Sequence, residues 1–155
     1  MLHPKKILVP VDFSEESAMA LEWAVRLASS EQGASIVLCH VLKTAVAPVG
    51  PEMMMYDLEA MLRESAEKDL ARWQEKVPSS IESHTVLSKG RVSEEVTQIC
   101  QKENIDLVVM TTHGRTGLSH WVVGSAAEET VRLAPCPVLV LHLNENARKE
   151  LAKMA

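Results

Sequence analysis

The stretch of sequence that decides the fold is residues 106–126, which read DLVVMTTHGRTGLSHWVVGSA. It begins with a short apolar run, residues 107–110, which is typical of a strand buried on both faces of a sheet. A loop with three glycines follows, and a new helix signal starts at Gly124 and Ser125. Backbone N–H groups of a glycine-rich loop and of a helix N-terminus bind anions, so the stretch predicts an anion-binding turn.

On either side of this stretch, strand and helix signals alternate strictly along the chain. The predicted strands are residues 7–11, 35–41, 81–87, 107–110 and 138–143, and the third is the most polar, which favours a place near the sheet edge. Strands joined by helical crossovers require a parallel sheet with right-handed connections. The sequence therefore predicts an α/β fold, a five-stranded parallel sheet with four helices on both of its faces.

Caps and apolar periodicity predict the limits and the buried face of each helix. Ser14 should cap the first helix and Gly33 should end it, while Ser125 and Glu128 have the spacing of a capping box at the start of the fourth. The predicted inward positions are Ala18, Leu21, Val25 and Ala28 in the first helix, Leu58, Met61, Leu62, Ala66, Leu70, Trp73 and Val77 in the second, and Val96, Ile99 and Cys100 in the third.

Two segments interrupt the pattern. Residues 43–56 contain two prolines and a glycine without apolar periodicity, which predicts a long connection, either a lid or a disordered excursion without function. Residues 144–155 predict a polar helical or frayed tail. We expect a single domain over residues 1–155, a usual domain size.

Composition excludes several classes of protein. A net charge of −5 argues against nonspecific nucleic-acid or anionic-membrane binding, and 3% aromatic residues argue against a base-stacking surface. The sequence has neither a signal segment nor an apolar run of membrane-spanning length, so a cytoplasmic protein is expected. Cys39, Cys100 and Cys136 are widely spaced within or beside apolar runs, which favours reduced buried thiols over disulfides or zinc ligands.

In a doubly wound sheet, ligands bind at the carboxyl ends of the strands, which selects the positions after Val11, Val41 and Met110. Asp12 follows the first of these and could bind a ribose hydroxyl, an exocyclic amine or a cation, or could simply be a turn or cap residue. After Met110, glycines and a helix N-terminus predict a phosphate site, unless the glycines only form turns. Neither a P-loop nor a dinucleotide fingerprint is present.

Three segments together resemble the universal stress protein family: VPVDFSEES at residues 9–17, the block at 105–132 and APCPVLVLH at 134–142. The ATP-binding branch carries Gly, two residues, Gly, nine residues, then Gly with Ser or Thr. Gly114, Gly124 and Ser125 match this pattern, whereas Thr111 occupies the position of its first glycine.

The resemblance implies the doubly wound, Rossmann-like fold of the nucleotide-binding α-hydrolase type, with ATP and Mg²⁺ or Mn²⁺ as ligands. The position of Asp12 after the first strand would let it bind the cation together with the ATP phosphates. The resemblance implies that the Val41 backbone contacts the adenine and that Met110 packs on the adenosine side of the site. The residues expected around the adenosine are Pro10, Val11 and Asp12, with Thr111 beside the nucleotide, and those expected around the phosphates are Gly114, Arg115, Gly124, Ser125 and Ala126.

The resemblance also implies a homodimer formed through the last strand, at Val138, Leu139, Val140 and Leu141. An apolar strand at a sheet edge needs such cover on physical grounds as well. The leading hypothesis is an ATP-binding stress-response protein that signals to an unknown protein partner. A nucleotide-independent dimerising or chaperone-like member of the fold is the alternative, and a low-turnover ATPase is the third. A hydrolase is disfavoured because the G-x-S-x-G elbow is missing.

Overall fold

The computed structural model describes residues 3–43, 52–112 and 125–142, and the side chains of all of these except 52–57. Its strands are β1 (Lys6–Pro10), β2 (Ser35–Leu42), β3 (Glu82–Lys89), β4 (Leu107–Thr111) and β5 (Val138–Leu141). Its helices are α1 (Glu15–Ser29), α2 (Glu52–Gln74), α3 (Val92–Glu103) and α4 (Ser125–Leu133). Strands and helices alternate along the chain, as the sequence predicts.

All five strands pair in parallel, in the order β3-β2-β1-β4-β5. The predicted doubly wound fold is confirmed, and so is the edge position of the polar strand β3. The chain winds outward from β1 to β3, then crosses back to β4 on the other side of β1. The strand order therefore reverses between β1 and β4, which is where ligands bind in folds of this class.

Successive residues of β1 point to opposite faces of the sheet and enter two separate cores. Ile7 and Val9 pack with α1 and α2, whereas Leu8 packs with α3 and α4. All three side chains are fully buried. Because both faces are covered, the central strands must be continuously apolar, which explains the short runs from which they were predicted.

Helix α1 confirms the predicted cap and corrects the predicted end and face. Ser14 is the N-cap, and its Oγ accepts a hydrogen bond of 3.2 Å from the Ser17 backbone N–H. The helix ends at Ser29, ahead of Gly33, which instead adopts φ +75° in the turn to β2. Its fully buried residues are Ser17, Ala20, Leu21, Ala24 and Ala28, while the predicted Ala18 and Val25 are only partly buried. Small side chains let the helix approach the sheet closely, and larger ones flank the contact.

Replacing Ser14 with alanine is expected to lower the free energy of unfolding by about 0.5–2 kcal/mol, the usual effect of losing a helix N-cap. Ser29→Ala at the other end of the same helix is the control, because Ser29 is exposed and only returns a hydrogen bond to the Val25 carbonyl. Urea denaturation followed by circular dichroism measures both variants. Equal effects of the two substitutions would contradict the capping role.

Helix α2 departs most from the prediction. It begins at Glu52, so the connection predicted over residues 43–56 is shorter, and residues 44–51 lie outside the described part of the chain. Leu58, Met61 and Leu62 were predicted to face inward but are 55%, 68% and 50% exposed. Among the side chains that the structure describes from residue 58 onward, those buried in this region are Ala66, Leu70, Trp73 and Val77.

The lengths of the elements explain this exposure. A helix of 23 residues is about 34 Å long at about 1.5 Å per residue. The longest strands have 8 residues and span about 26 Å. The sheet is therefore too short to cover α2 along its whole length. Within the described residues, no helix is both long and apolar enough to cross a membrane.

Candidate functional site

The carboxyl edge of the sheet carries every predicted site residue that the structure describes. These residues are Pro10, Val11, Asp12, Val41, Met110 and Thr111 at strand ends, and Ser125 and Ala126 in the first turn of α4. Gly114, Arg115 and Gly124 lie outside the described residues. Helix α4 begins at Ser125, as predicted.

Asp12 is tied to the start of α1. Its Oδ1 accepts hydrogen bonds from the Ser14 backbone N–H at 3.1 Å, from the Ser14 hydroxyl and from the Ser17 hydroxyl at 2.8 Å. The alternative that Asp12 is a turn and cap residue therefore has direct structural support for one carboxylate oxygen. This bonding also holds the carboxylate in a defined position at the sheet edge.

Phe13 gives the β1–α1 turn an unusual backbone. Its φ is +65°, a left-handed conformation that bulky residues rarely adopt and that tertiary contacts must hold in place. The ring stacks on His40 with centroids 4.4 Å apart and meets Trp73 edge-on at 5.8 Å. The turn is thus clamped between β2 and α2.

His40 of β2 also holds the β1–α1 turn in place, through a hydrogen bond. Its Nδ1 lies 2.7 Å from the Val11 carbonyl oxygen, and because a carbonyl only accepts, Nδ1 carries the hydrogen. The Val11 N–H donates to the Cys39 carbonyl at 2.8 Å, so both backbone groups of Val11 are engaged. These contacts hold the backbone at this edge, and a preorganised edge lowers the entropy cost of binding a ligand.

The side chains of Val11, Val41 and Met110 are buried, so a ligand at this edge would meet mainly their backbone. Val41 pairs in register with Ser88 of β3. The Ser88 hydroxyl is buried and has no hydrogen-bond partner within the described part of the chain. Thr111, at the end of β4, is half-buried, and its side chain occupies the place where the family pattern has bare backbone.

A cavity of about 460 Å³ opens between the N-termini of α3 and α4. This volume suits a small organic ligand. The first N–H groups of a helix have no acceptor within the helix, and together with the partial positive charge at a helix N-terminus they favour an anion. Its described lining residues are Lys43, Gly90, Arg91, Val92, Ser93, Ser125, Ala126 and Glu129.

Glu129 joins the two helices at the cavity wall. Its Oε1 accepts a hydrogen bond from Arg91 Nη2, and its Oε2 accepts one of 2.9 Å from the hydroxyl of Ser93, which is almost fully buried. Arg91 also lies 3.8 Å from Glu94. The charge of Arg91 is therefore compensated, whereas Lys43 forms no ion pair with any described residue and is the more available cation.

Glu129→Ala should reduce the free energy of unfolding by about 1–3 kcal/mol, because it leaves the buried Ser93 hydroxyl without its acceptor. Glu94→Ala is the matched control, since it removes the other acid beside Arg91. An exposed ion pair of this kind contributes about 1 kcal/mol or less. Chemical denaturation of both variants checks the difference, and a larger loss for Glu94→Ala would show that the interhelical link is unimportant.

Four charged or polar residues of the lining were not selected from the sequence: Lys43, Arg91, Ser93 and Glu129. The ligand positions predicted from the sequence follow β1, β2 and β4 but not β3. A usable signal was present, because Gly90 separates β3 from α3 in the same strand-glycine-helix order that drew attention to β4. Gly90 adopts φ +153°, a conformation that residues with a Cβ rarely adopt, so the position favours glycine.

Asp12 is also the predicted metal ligand, together with the ATP phosphates. Among residues 3–43, 52–112 and 125–142, no three His, Cys, Asp or Glu side chains come together in a way that could hold a metal ion. Mg²⁺ commonly completes its coordination with water and with the phosphates of a bound nucleotide.

Comparison with known proteins identifies the family. The sequence model described as the universal stress protein family matches residues 3–142. Universal stress protein A homolog 1 of Coxiella burnetii is 32% identical over 149 residues, covering 93% of this chain and 100% of the relative. The solved structure of MJ0577, a protein of Methanocaldococcus jannaschii, has a TM-score of 0.80 at 25% identity and covers 94% of this chain and 99% of its own.

A structure of a universal stress protein in complex with cAMP has a TM-score of 0.59 at 17% identity, over 90% of this chain and 98% of its own, and so shares the fold. The predicted resemblance is confirmed by the family match over residues 3–142. This chain belongs to the universal stress protein family.

Proposed function

We propose that this chain is an ATP-binding universal stress protein that acts as a homodimeric, nucleotide-dependent signalling module in a stress response. The observation that carries the proposal is the cavity where α4 begins, lined by Ser125 and Ala126. The family spacing of Gly114, Gly124 and Ser125 leads directly into this helix start. The triphosphate would lie against these N–H groups, with Arg115 and Lys43 adding positive charge.

The adenosine would lie along the β1 and β2 ends of the same edge. The clamped turn at Asp12 and Phe13 supports this placement, because a pre-shaped edge loses little entropy on binding. Val41 would contact the adenine through its backbone, as the family resemblance implies. Mg²⁺ or Mn²⁺ would bind phosphate oxygens near Asp12.

The cAMP complex supports the ligand class in general terms. It concerns a protein that shares only the fold with this chain. It therefore favours a nucleotide as the ligand but does not distinguish ATP from other nucleotides. The ATP assignment depends on the glycine spacing after β4, which the cAMP comparison does not address.

The dimer proposal depends on β5 and its neighbour α4. Val138, Leu139, Val140 and Leu141 form an apolar strand at the sheet edge and are only half-buried. Val131 and Leu133 of α4 are about half exposed as well, at 52% and 49%. An apolar edge strand that remains uncovered invites pairing with another chain, and a second copy would cover it.

Thr111 favours the alternative, a nucleotide-independent dimerising or chaperone-like member of the family. Its β-branched side chain replaces the first glycine of the ATP pattern at the end of β4. A third candidate is slow ATP hydrolysis. The bonding of Asp12 Oδ1 to Ser14 and Ser17 favours binding over turnover, because that oxygen already accepts three hydrogen bonds.

The decisive experiment has two arms. Purified protein is denatured and its released small molecules are identified, and separately the protein is titrated with ATP in the presence of Mg²⁺ or Mn²⁺. We expect co-purified or added ATP to bind at one site per chain. If neither arm detects nucleotide, the proposal is wrong and the nucleotide-independent alternative stands. Accumulation of ADP that disappears in Asp12→Asn, which keeps an oxygen acceptor for the cap, would favour the ATPase.

A further inference from the structure

Two of the three cysteines lie side by side. Cys100, near the end of α3, and Cys136, in the loop between α4 and β5, have their Sγ atoms 4.0 Å apart. Both belong to the core formed with α3 and α4. Cys39 belongs to the same core but is completely buried in β2. The three thiols are free.

The backbones on both sides of this pair are anchored. Cys136 is flanked by Pro135 and Pro137, which restrict the chain, and the Pro137 carbonyl accepts a hydrogen bond of 3.0 Å from the Val108 N–H. The Cys100 carbonyl accepts one of 3.0 Å from Ile105. A disulfide has an S–S length of about 2.05 Å, so the two sulfurs must approach by about 2 Å, mainly through side-chain rotation.

We propose that Cys100 and Cys136 form a reversible intrachain disulfide when the protein meets a peroxide. The Cys136 thiol loses its proton, its thiolate attacks one peroxide oxygen, and the O–O bond breaks to give a sulfenic acid and hydroxide, which takes up the released proton and becomes water. Cys100 then attacks the sulfenic sulfur, the S–O bond breaks, and the thiol proton leaves with the hydroxide as water. In total, two thiols and one hydrogen peroxide yield one disulfide and two waters, and two electrons pass from the sulfurs to the peroxide.

Accessibility sets the order of the two steps. Cys136 is half-buried and can be reached from solvent, whereas Cys100 is 2% exposed. Burial raises the pKa of Cys100 to about 12 and also raises the pKa of Cys136 above its usual range. Because the thiolate is the reactive form, oxidation should be slow and should need peroxide in excess.

The bond would enclose the part of the chain that carries the candidate phosphate site. The two cysteines are 36 residues apart, and the ring they close contains β4, the glycine-containing segment and α4. A crosslink of this span restricts the unfolded chain, so we expect the oxidised protein to melt about 5–10 °C higher than the reduced one. The pairing depends only on the two thiols and would occur whether or not a nucleotide binds.

The test uses the purified full chain, reduced, freed of reductant and treated with excess hydrogen peroxide. Trypsin places Cys39, Cys100 and Cys136 on three separate peptides, residues 27–43, 92–102 and 133–148, so non-reducing mass spectrometry can identify each pairing directly. We expect a crosslink between the second and third peptides that disappears on adding dithiothreitol. Titratable thiols in the denatured protein should fall from three to one.

Cys136→Ser and Cys39→Ala are the paired variants: the first should abolish the crosslink and the rise in melting temperature, and the second should retain both. The mapping on the unaltered chain decides the matter even if a variant does not fold. A pairing that includes Cys39, a link between two chains, or oxidation of Cys136 to sulfinic acid with Cys100 unchanged would overturn the proposal. Three intact thiols after prolonged treatment would overturn it as well.

Discussion

Leu70→Ala is expected to lower the free energy of unfolding by about 2–5 kcal/mol, the range for removing a buried leucine side chain from a packed core. Leu70 is 2% exposed and packs from α2 into the core that β1, β2 and α1 share. Alanine is the best helix former, so the substitution does not weaken α2 itself. The loss therefore reports the packing of the helix on the sheet.

Leu62→Ala supplies the matched control on the same helix. Leu62 is 50% exposed, and its truncation should change stability by about 0.5 kcal/mol or less. Urea denaturation monitored by far-ultraviolet circular dichroism gives both values, with the slope against urea compared to check that the unfolded states agree. Equal losses would mean that the first half of α2 is buried in solution, as the apolar period alone predicts.

The sheet could be predicted from sequence because its strands are covered on both faces. Continuous apolar runs such as those at residues 7–11 and 107–110, when helical segments separate them, are compatible with few folds other than a parallel sheet with helices on both faces. The strand limits differ from those of the structure by only one or two residues within the described ranges, as at β3, which is Glu82–Lys89 instead of residues 81–87. The order of the strands could be limited to a doubly wound arrangement but not determined.

Helix faces were harder to predict, since apolarity is only one cause of burial. In α1 the buried residues are mainly small, and the prediction included Leu21 and Ala28 but missed Ser17, Ala20 and Ala24. In α2 the apolar period continues past the end of the sheet, at Leu58, Met61 and Leu62. Periodicity shows which side of a helix is apolar but not how far its neighbour extends.

The candidate site was predictable where it depends on strand ends and not where it depends on tertiary contacts. Asp12 and Ser125 lie on the predicted edge of the sheet. The left-handed backbone of Phe13 could not be predicted, because bulky residues disfavour it and its contacts with His40 and Trp73 are distant in sequence. The link from Glu129 to Ser93 joins residues 36 apart in sequence, so no local pattern could reveal it.

Ser125→Asp is expected to weaken ATP binding by about 100-fold or more while leaving the fold intact. If the phosphates lie at the start of α4, the new carboxylate repels them and removes a hydroxyl donor. A hydrogen bond to a charged group is worth about 1.5–3 kcal/mol, and each 1.4 kcal/mol is about tenfold in affinity. The apo protein should be as stable as before, because Ser125 is exposed and aspartate is favourable in the first turn of a helix.

Ser80→Asp is the control for charge. Ser80 is exposed in the turn before β3, at the amino edge of the sheet, opposite the candidate site. Ser80→Asp therefore adds the same charge as Ser125→Asp but should leave ATP affinity unchanged. Isothermal titration with ATP and Mg²⁺ gives the affinities, and thermal unfolding without nucleotide shows that both variants are folded. If Ser125→Asp bound ATP as tightly as the unaltered chain, the phosphates could not lie against α4, and the nucleotide would have to bind elsewhere on the carboxyl edge. Equal weakening in both variants would instead indicate long-range repulsion between ATP and the added charge. A site at the N-terminus of α4 lies close to residue 125 and far from residue 80, so it predicts a larger effect for Ser125→Asp.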